Sequence, residues 1–103
     1  MKRTVTLKER AVQLCSEIPA VFLCLKDREE CYKFFEDVCT VNELLSLSQR
    51  FEVAKMLTEK KTYLEIADKT GASTATISRV NRSLSYGTGA YAKLFERMKE
   101  QKK

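Results

Sequence analysis

The sequence feature that most restricts the fold is residues 62–84, which predict two short helices joined by a tight turn. Gly71 should end the first helix, because a residue without a Cβ adopts left-handed backbone at no steric cost. Ser73 is placed to cap the second helix by accepting a backbone N–H. With the small Ala67 before the turn and the apolar Ile77 after it, the spacing is that of a helix-turn-helix, in which two helices cross closely.

The second of these helices has two unlike faces. Ile77, Val80 and Leu84 recur at i, i+3 and i+7, which predicts an apolar stripe against a core. The opposite face carries small, hydroxyl and arginine side chains: Thr74, Ala75, Ser78, Arg79 and Arg82. Residues 69–95 contain no Asp or Glu, as suits a surface that approaches phosphates. The alternative is an ordinary helical corner whose outer face binds nothing.

The chain length predicts one domain with a modest core, because 103 residues fall within the usual range for a single domain. Its formal net charge of +5 is unevenly distributed, since residues 27–43 hold six acidic and two basic side chains. That acidic stretch is either a second interaction surface or a solvated helix face. The predicted organisation of the domain, 1–103, is a flexible N-terminus (1–6), core and dimerisation helices (7–59), the helix-turn-helix (62–84) and a C-terminal helix (90–103).

Hydrophobic periodicity predicts helices throughout and no strand, so the fold class is all-α. A first helix over 8–17 should stop or kink at Pro19. The remaining predicted helices outside the motif are a short apolar piece over 20–25 and helices over 28–39, 41–59 and 90–100. Capping boxes are expected at Thr40 and Thr62. In a capping box, the hydroxyl side chain accepts the backbone N–H of a Glu three residues later, and the Glu side chain accepts the backbone N–H of the hydroxyl residue. On the last helix, Tyr91, Leu94 and Met98 are expected to be buried.

The helix over 41–59 is apolar on two sides. One stripe contains Leu44, Leu47, Phe51 and Ala54, and the other contains Val41, Leu45, Val53 and Met56. A helix of this kind is buried on both sides, which a small domain cannot easily provide. A second copy of the chain is therefore the expected cover, giving a homodimer. The alternative is that the N-terminal helices cover the second side.

Several classes of function lack support in the sequence. There is no histidine, and the four cysteines (Cys15, Cys24, Cys31 and Cys39) form no C-x-x-C pair, so no metal, cofactor or catalytic residue is predicted. Cys31 and Cys39 fall at apolar helical positions, which predicts buried free thiols and a reducing, cytoplasmic location. The longest apolar run, residues 20–25, is too short to span a membrane, and no secretory signal is expected.

The residues from Gly71 to Arg79, with those at 81–84, resemble the helix-turn-helix of the tryptophan repressor family. A wider pattern, including residues 29–35, 50–57 and 85–87, is most similar to the YerC/YecD group of Trp-repressor-related proteins. The resemblance covers about residues 26–98. It implies an all-helical, intertwined homodimer that binds double-stranded DNA through the helix-turn-helix.

The family's tryptophan-binding residues do not carry over completely. The resemblance places the arginine that stacks on the corepressor indole at Arg79, but the glycine that follows it in the family is Val80 here. The family's second ligand-binding arginine falls at Gln49, beside Arg50, and a DNA-reading arginine falls at Leu64. The resemblance therefore implies DNA binding without tryptophan sensing, at a different operator.

The predicted function is a sequence-specific, homodimeric DNA-binding transcription regulator. The predicted DNA contacts are Lys69, Ser73, Thr74, Ala75, Thr76, Ser78, Arg79 and Arg82, with Lys60 and Lys61 as weaker phosphate contacts. Gln49, Arg50 and Val80 are the predicted positions of any effector pocket. Two alternatives remain open: a helix-turn-helix that binds an acidic protein, and a regulator gated by another small molecule.

Overall fold

The computed structural model describes residues 6–101, apart from the side chain of Leu14, and these residues form helices and no strand. The helices are α1 (Leu7–Leu14), α2 (Ile18–Cys24), α3 (Arg28–Val38), α4 (Val41–Thr58), α5 (Tyr63–Thr70), α6 (Thr74–Tyr86) and α7 (Ala90–Gln101). The all-α prediction is confirmed. The chain divides into two compact units, 1–39 and 40–103, and the single domain remains a prediction. The predictions for residues 1–5 and 102–103 lie outside the described part.

The predicted capping boxes are confirmed at the starts of α4 and α5. At α4, the Thr40 hydroxyl accepts the Glu43 N–H at 3.1 Å, and the Glu43 carboxylate accepts the Thr40 N–H at 2.7 Å. Thr62 and Glu65 form the same pair of bonds at α5, at 3.1 and 3.2 Å. Each box satisfies two backbone donors that have no partner inside the helix, and so fixes where the helix begins.

The first helix differs from its prediction at both ends. It starts at Leu7, because the Thr6 side chain accepts the Glu9 N–H at 3.1 Å, so Thr6 is a cap and not part of a loose terminus. It ends at Leu14 instead of residue 17. Pro19 lies in the first turn of a separate helix, α2, where its missing N–H costs nothing. The first helix therefore stops before Pro19, as one of the two predicted outcomes, and the proline helps to start the next helix.

The unit formed by residues 1–39 contains an aromatic cluster and none of its described side chains is fully buried. Phe22 of α2 meets Phe34 and Phe35 of α3, with ring centroids 5.7 and 6.0 Å apart. Cys31 and Cys39 are half-buried, so the prediction of buried thiols was too strong. All four cysteines are free.

The unit formed by residues 40–103 contains the buried core, in which α4 packs against both α5 and α6. Seven side chains are at most 5% exposed: Val53, Ala54, Met56, Ile66, Ala72, Ile77 and Val80. The predicted stripe of α6 is confirmed, because Ile77 and Val80 belong to this core and Leu84 packs against it. The core therefore fixes which side of α6 faces outward.

The 18-residue helix α4 buries its C-terminal half and exposes apolar side chains on its N-terminal half. Val53, Ala54 and Met56 lie in the core, whereas Val41 and Leu45 are 72% and 62% exposed. The second predicted stripe therefore has two different surroundings within one chain, because its Val53 and Met56 are buried and its Val41 and Leu45 are exposed. Among residues 6–101, no helix combines the length and apolar character needed to cross a lipid bilayer.

Helix α6 extends through Tyr86, two residues beyond the predicted end of the helix-turn-helix at residue 84. The Gly87 N–H donates to the Ser83 carbonyl at 2.9 Å and closes the last turn. A Cβ at Gly87 would collide with that same carbonyl oxygen, so the position accepts only glycine without a backbone shift. Gly87 and Gly89 therefore lie after the C-terminal end of α6 and do not interrupt the helix.

The buried side of α7 was predicted incorrectly at two of three positions. Tyr91 and Phe95 pack against the core, and the Phe95 ring lies 5.1 Å from that of Phe51 on α4. Leu94 and Met98 are 46% and 40% exposed. Burial of the Tyr91 and Phe95 rings, one helical turn apart, removes more apolar surface from water than burial of Leu94 and Met98 would. The two rings therefore determine which side of α7 faces the core.

Candidate nucleic-acid interface

The turn between α5 and α6 has the geometry that its sequence predicts. Gly71 adopts a left-handed conformation with φ of 73°, and its N–H donates to the Ala67 carbonyl at 2.9 Å. A Cβ at Gly71 would meet nothing within 4 Å, so glycine is needed here for its backbone conformation and not for space. Ser73 then caps α6 by accepting the Thr76 N–H at 3.1 Å.

Thr70 connects the end of α5 both to the turn and to α4. Its hydroxyl donates to the Ile66 carbonyl at 2.7 Å and accepts the Ala72 N–H at 3.1 Å. Its carbonyl accepts a hydrogen bond from Nε2 of Gln49, on α4, at 3.1 Å. Because Ala72 is also buried, the turn is held by both packing and hydrogen bonds. The sequence analysis did not single out Thr70; a hydroxyl residue just before a C-terminal glycine was the available signal.

The outward face of α6 contains the predicted DNA-contact residues of that helix. Its exposed members are Thr74, Ala75, Ser78, Arg79 and Arg82. Thr76 is half-buried, and its hydroxyl oxygen accepts a hydrogen bond from the Ser73 hydroxyl at 3.1 Å. We call the five exposed side chains the outward face; they are brought together along about two turns of one helix.

The electrostatics of the outward face favour anions. Within residues 6–101, neither Arg79 nor Arg82 forms an ion pair, in contrast to Lys33 and Glu29, which pair at 3.4 Å on α3. The first turn of α6 contains no acidic residue. The positive end of the helix dipole is therefore not compensated locally, and it adds to the charge of the two guanidinium groups.

The three predicted lysine contacts lie outside α6 and are exposed. Lys69 lies in the last turn of α5, whereas Lys60 and Lys61 connect α4 to α5. The N–H of Lys60 donates to the Leu57 carbonyl at 3.0 Å, and that of Lys61 to the Met56 carbonyl at 3.1 Å. Lys60 has a φ of 62°, a left-handed conformation that is uncommon for a residue with a side chain.

The predicted effector-pocket residues have three different environments. Gln49 is half-buried and bonded to Thr70, Arg50 is exposed, and Val80 is 3% exposed within the core. The side chain of Val80 fills space between α6 and its neighbours and does not border an open slot. An effector site at these positions remains a prediction.

Comparison with known proteins places this geometry in a family. The sequence model of the Trp repressor protein family matches residues 13–99. The chain belongs to the Trp repressor family. This Trp repressor family member is 62% identical over 78 residues to the uncharacterised protein YerC of Bacillus subtilis (strain 168), covering 76% of the chain and 75% of YerC. The resemblance to the Trp repressor family and its YerC-like group is thereby confirmed.

Two solved structures show the same fold as this Trp repressor family member. A TrpR-like protein from Eubacterium eligens ATCC 27750 is 63% identical with a TM-score of 0.82, covering 88% of this chain and 94% of that chain. A candidate Trp repressor from Staphylococcus aureus is 48% identical with a TM-score of 0.82, covering 93% and 96% of the two chains. The TrpR-like arrangement of helices is therefore established.

Proposed function

We propose that this Trp repressor family member is a cytoplasmic, non-enzymatic regulator of transcription. It acts as a homodimer and binds specific double-stranded DNA sequences through α5, the turn and α6, used as a helix-turn-helix. The observation that carries the proposal is the outward face of α6, where exposed arginines, hydroxyls and a methyl group occur without any acidic side chain. The buried stripe on the opposite side of α6 keeps this face directed away from the core.

In the proposed complex, α6 lies in the major groove with its N-terminal end toward the DNA, the usual placement of a recognition helix. Arg79 or Arg82 pairs with the O6 and N7 atoms of a guanine, an interaction worth about 1–3 kcal/mol of discrimination against other bases. The Ser78 hydroxyl bonds a base edge. Ala75 and the methyl of Thr74 contact thymine methyl groups, so the face reads both polar and apolar features.

The remaining contacts go to the phosphate backbone. The capped N-terminus of α6 at Ser73, with Thr76, lies beside a phosphate. Lys60, Lys61 and Lys69 contribute positive charge, which positions the protein on the duplex without reading its sequence, because a lysine ammonium is a point charge. Binding should therefore weaken steeply as salt is added.

The homodimer is supported by the exposed apolar side chains on the N-terminal half of α4. Val41, Leu45 and Leu47 are 72%, 62% and 47% exposed, which is costly for a run of large apolar residues on one helix. A second copy of the chain covers them in the proposed assembly. Its two-fold axis predicts a palindromic operator with half-sites about 34–36 Å apart, or a multiple of that distance.

The packing of Val80 supports the proposal that this regulator does not respond to tryptophan. Its branched side chain follows Arg79 and is packed into the core, at the position where the family resemblance implies a glycine and an open slot. Addition of L-tryptophan is therefore expected to leave the affinity for the selected duplex unchanged. An increase of tenfold or more in affinity, about 1.4 kcal/mol, would contradict this part of the proposal.

The test is selection of bound fragments from a random duplex pool, followed by gel-shift titration on the selected operator. Arg79→Ala is expected to lower operator affinity by about tenfold or more, since one bidentate base contact is lost, while weakening binding to unrelated duplex much less, through the loss of one charge. Lys61→Ala is the matched control, because it removes an exposed charge without a base contact. It should weaken binding to all sequences alike.

Two outcomes would contradict the proposal. Equal operator binding by Arg79→Ala and the unmodified protein would remove Arg79 from sequence readout. Absence of binding to any duplex at low salt would exclude the DNA-binding function, and would favour the alternative in which the basic face binds an acidic protein.

A further inference from the structure

We propose that Gln49 is a positioning residue, which holds α6 in its DNA-binding orientation by anchoring the end of α5 to α4. The inference rests on the function proposed above. It identifies a residue outside the helix-turn-helix that sets DNA affinity.

The hydrogen bond from Gln49 to Thr70 differs in kind from the capping bonds of the helices. It joins residues 21 positions apart, on two helices, and is partly shielded from solvent. The bonds at Thr40, Thr62 and Ser73 each join residues three positions apart. Capping bonds define helix ends, whereas the Gln49 bond fixes one helix relative to another.

Because the Thr70 carbonyl can only accept a hydrogen bond, Gln49 must be the donor. The Thr70 carbonyl is one of the last carbonyls of α5, which have no partner within the helix. Only an N–H or O–H can satisfy it, so the amide nitrogen of Gln49 must face it and the amide oxygen must point away. A carboxylate at position 49 would instead place negative charge against a carbonyl at the negative end of the α5 dipole.

A short chain of contacts leads from this bond to α6. Thr70 also accepts the Ala72 N–H, and Ala72 is 4% exposed. Ser73 follows at once and caps α6. A change at the end of α5 is therefore passed to the first turn of α6 within three residues, through the backbone and the buried Ala72.

The test uses Gln49→Glu, which has nearly the same shape but is a donor only when protonated. At pH 7.5 the ionised variant should bind the selected operator about tenfold more weakly than the unmodified protein, because a bond is lost and a charge faces a carbonyl. Contact with the carbonyl favours the neutral carboxyl and raises its pKa. Operator affinity should therefore recover to within about twofold as the pH falls to 5.5, where the carboxyl can donate again.

The chain suits this pH experiment because it has no histidine, so its own charge changes little between pH 7.5 and 5.5. The charged residues that flank the pair in sequence are Arg50 and Glu52 on α4, and Asp68 and Lys69 on α5. Ser48→Glu keeps all of these and adds the same charge at an exposed neighbouring position of α4. It should show a small loss of affinity that does not depend on pH over this range.

Gln49→Met is the second variant, since it keeps the length of the side chain and removes the donor without adding charge. It should bind about fivefold more weakly at both pH values, while circular dichroism shows an unchanged helix content. Equal affinity of both Gln49 variants and the unmodified protein would overturn the inference while leaving the DNA-binding function in place. A pH response of Ser48→Glu equal to that of Gln49→Glu would also overturn it. Failure of the unmodified protein to bind any duplex would overturn both proposals.

Discussion

Two residues adopt left-handed backbone on either side of α5, and they do so for different reasons. Gly71 ends α5 with φ of 73°, where glycine has no steric penalty. Lys60 follows the end of α4 with φ of 62°, where a residue with a Cβ is strained by about 1 kcal/mol. The side chain of Lys60 is exposed. Its positive charge, directed at a phosphate in the proposed complex, accounts for a lysine at a glycine-like position.

Lys60→Gly is therefore expected to stabilise the protein and weaken its binding to DNA. Removal of backbone strain should raise the free energy of unfolding by about 0.5–1 kcal/mol, as measured by urea denaturation. Loss of one charge should weaken binding to all duplexes alike in gel shifts. Lys61→Ala is the control: it should weaken binding similarly without the gain in stability. A lower stability of Lys60→Gly would show that the lysine side chain supports the fold.

The starts of α4, α5 and α6 were well predicted from sequence, because each is encoded within four residues. Thr40, Thr62 and Ser73 cap α4, α5 and α6 as their sequence patterns indicate. The ends of helices, and the rotation of each helix about its own axis, were harder to predict from sequence. Helix α6 ends at Tyr86, two residues beyond its predicted end. The buried side of α7 depends on packing against residues distant in sequence, such as Phe51. A periodic pattern alone cannot include those contacts.

The capping box of α4 gives a pH-dependent contribution to stability. The hydrogen bond that the Thr40 backbone N–H donates to Glu43, followed by that from the Thr40 side chain, lowers the pKa of Glu43 below its ordinary value. A carboxyl whose pKa is lower in the folded state stabilises the fold fully above its unfolded pKa, and loses this effect as the pH falls through the folded pKa.

The expected result is that Glu43→Gln unfolds at a lower temperature than the unmodified protein at pH 7. The difference should shrink as the pH falls through the folded pKa of Glu43, because protonation removes the charge that the capping hydrogen bonds stabilise. Thermal denaturation followed by circular dichroism at pH 7, 5 and 3.5 measures it. Asp37→Asn, an exposed change on α3 outside any capping bond, is the control. A difference that stays constant across this range would show that the charge of Glu43 has no role.

The candidate site was predicted in part. The outward face of α6 follows from helical periodicity, so Ala75, Ser78, Arg79 and Arg82 could be assigned to it from sequence. The bond between Gln49 and Thr70 could not, because it depends on the tertiary packing of α4 against α5. Residue spacing shows which side chains share a helix face, but not which side chain of another helix reaches them.

At the scale of the whole molecule, the N-terminal half of α4 carries large apolar side chains that one copy of the chain leaves exposed. Val41 and Leu45 are more than half exposed, as expected if the two-sided pattern of this helix serves an assembly. In the proposed assembly, α4 carries dimerisation and α6 carries DNA readout within one 103-residue chain.

Two substitutions should separate these properties. Leu45→Glu is expected to raise the dimer dissociation constant by about 100-fold or more, because an unpaired charge would enter an apolar interface, and operator binding should fall with it. Arg82→Ala should bind the operator more weakly while remaining a dimer. Sedimentation equilibrium and gel shifts measure the two effects. A monomeric unmodified protein at micromolar concentration would contradict the assembly.

The interleaving of core and outward residues along α6 has an evolutionary consequence. Ile77 and Val80 are buried and alternate with exposed side chains, so substitutions on the outward face should cost little folding stability. Descendants of a duplicated gene can therefore acquire new target sites through a few substitutions while inheriting the scaffold intact. Paralogues of this chain are expected to differ most at positions 75, 78, 79 and 82, and least at positions 77 and 80.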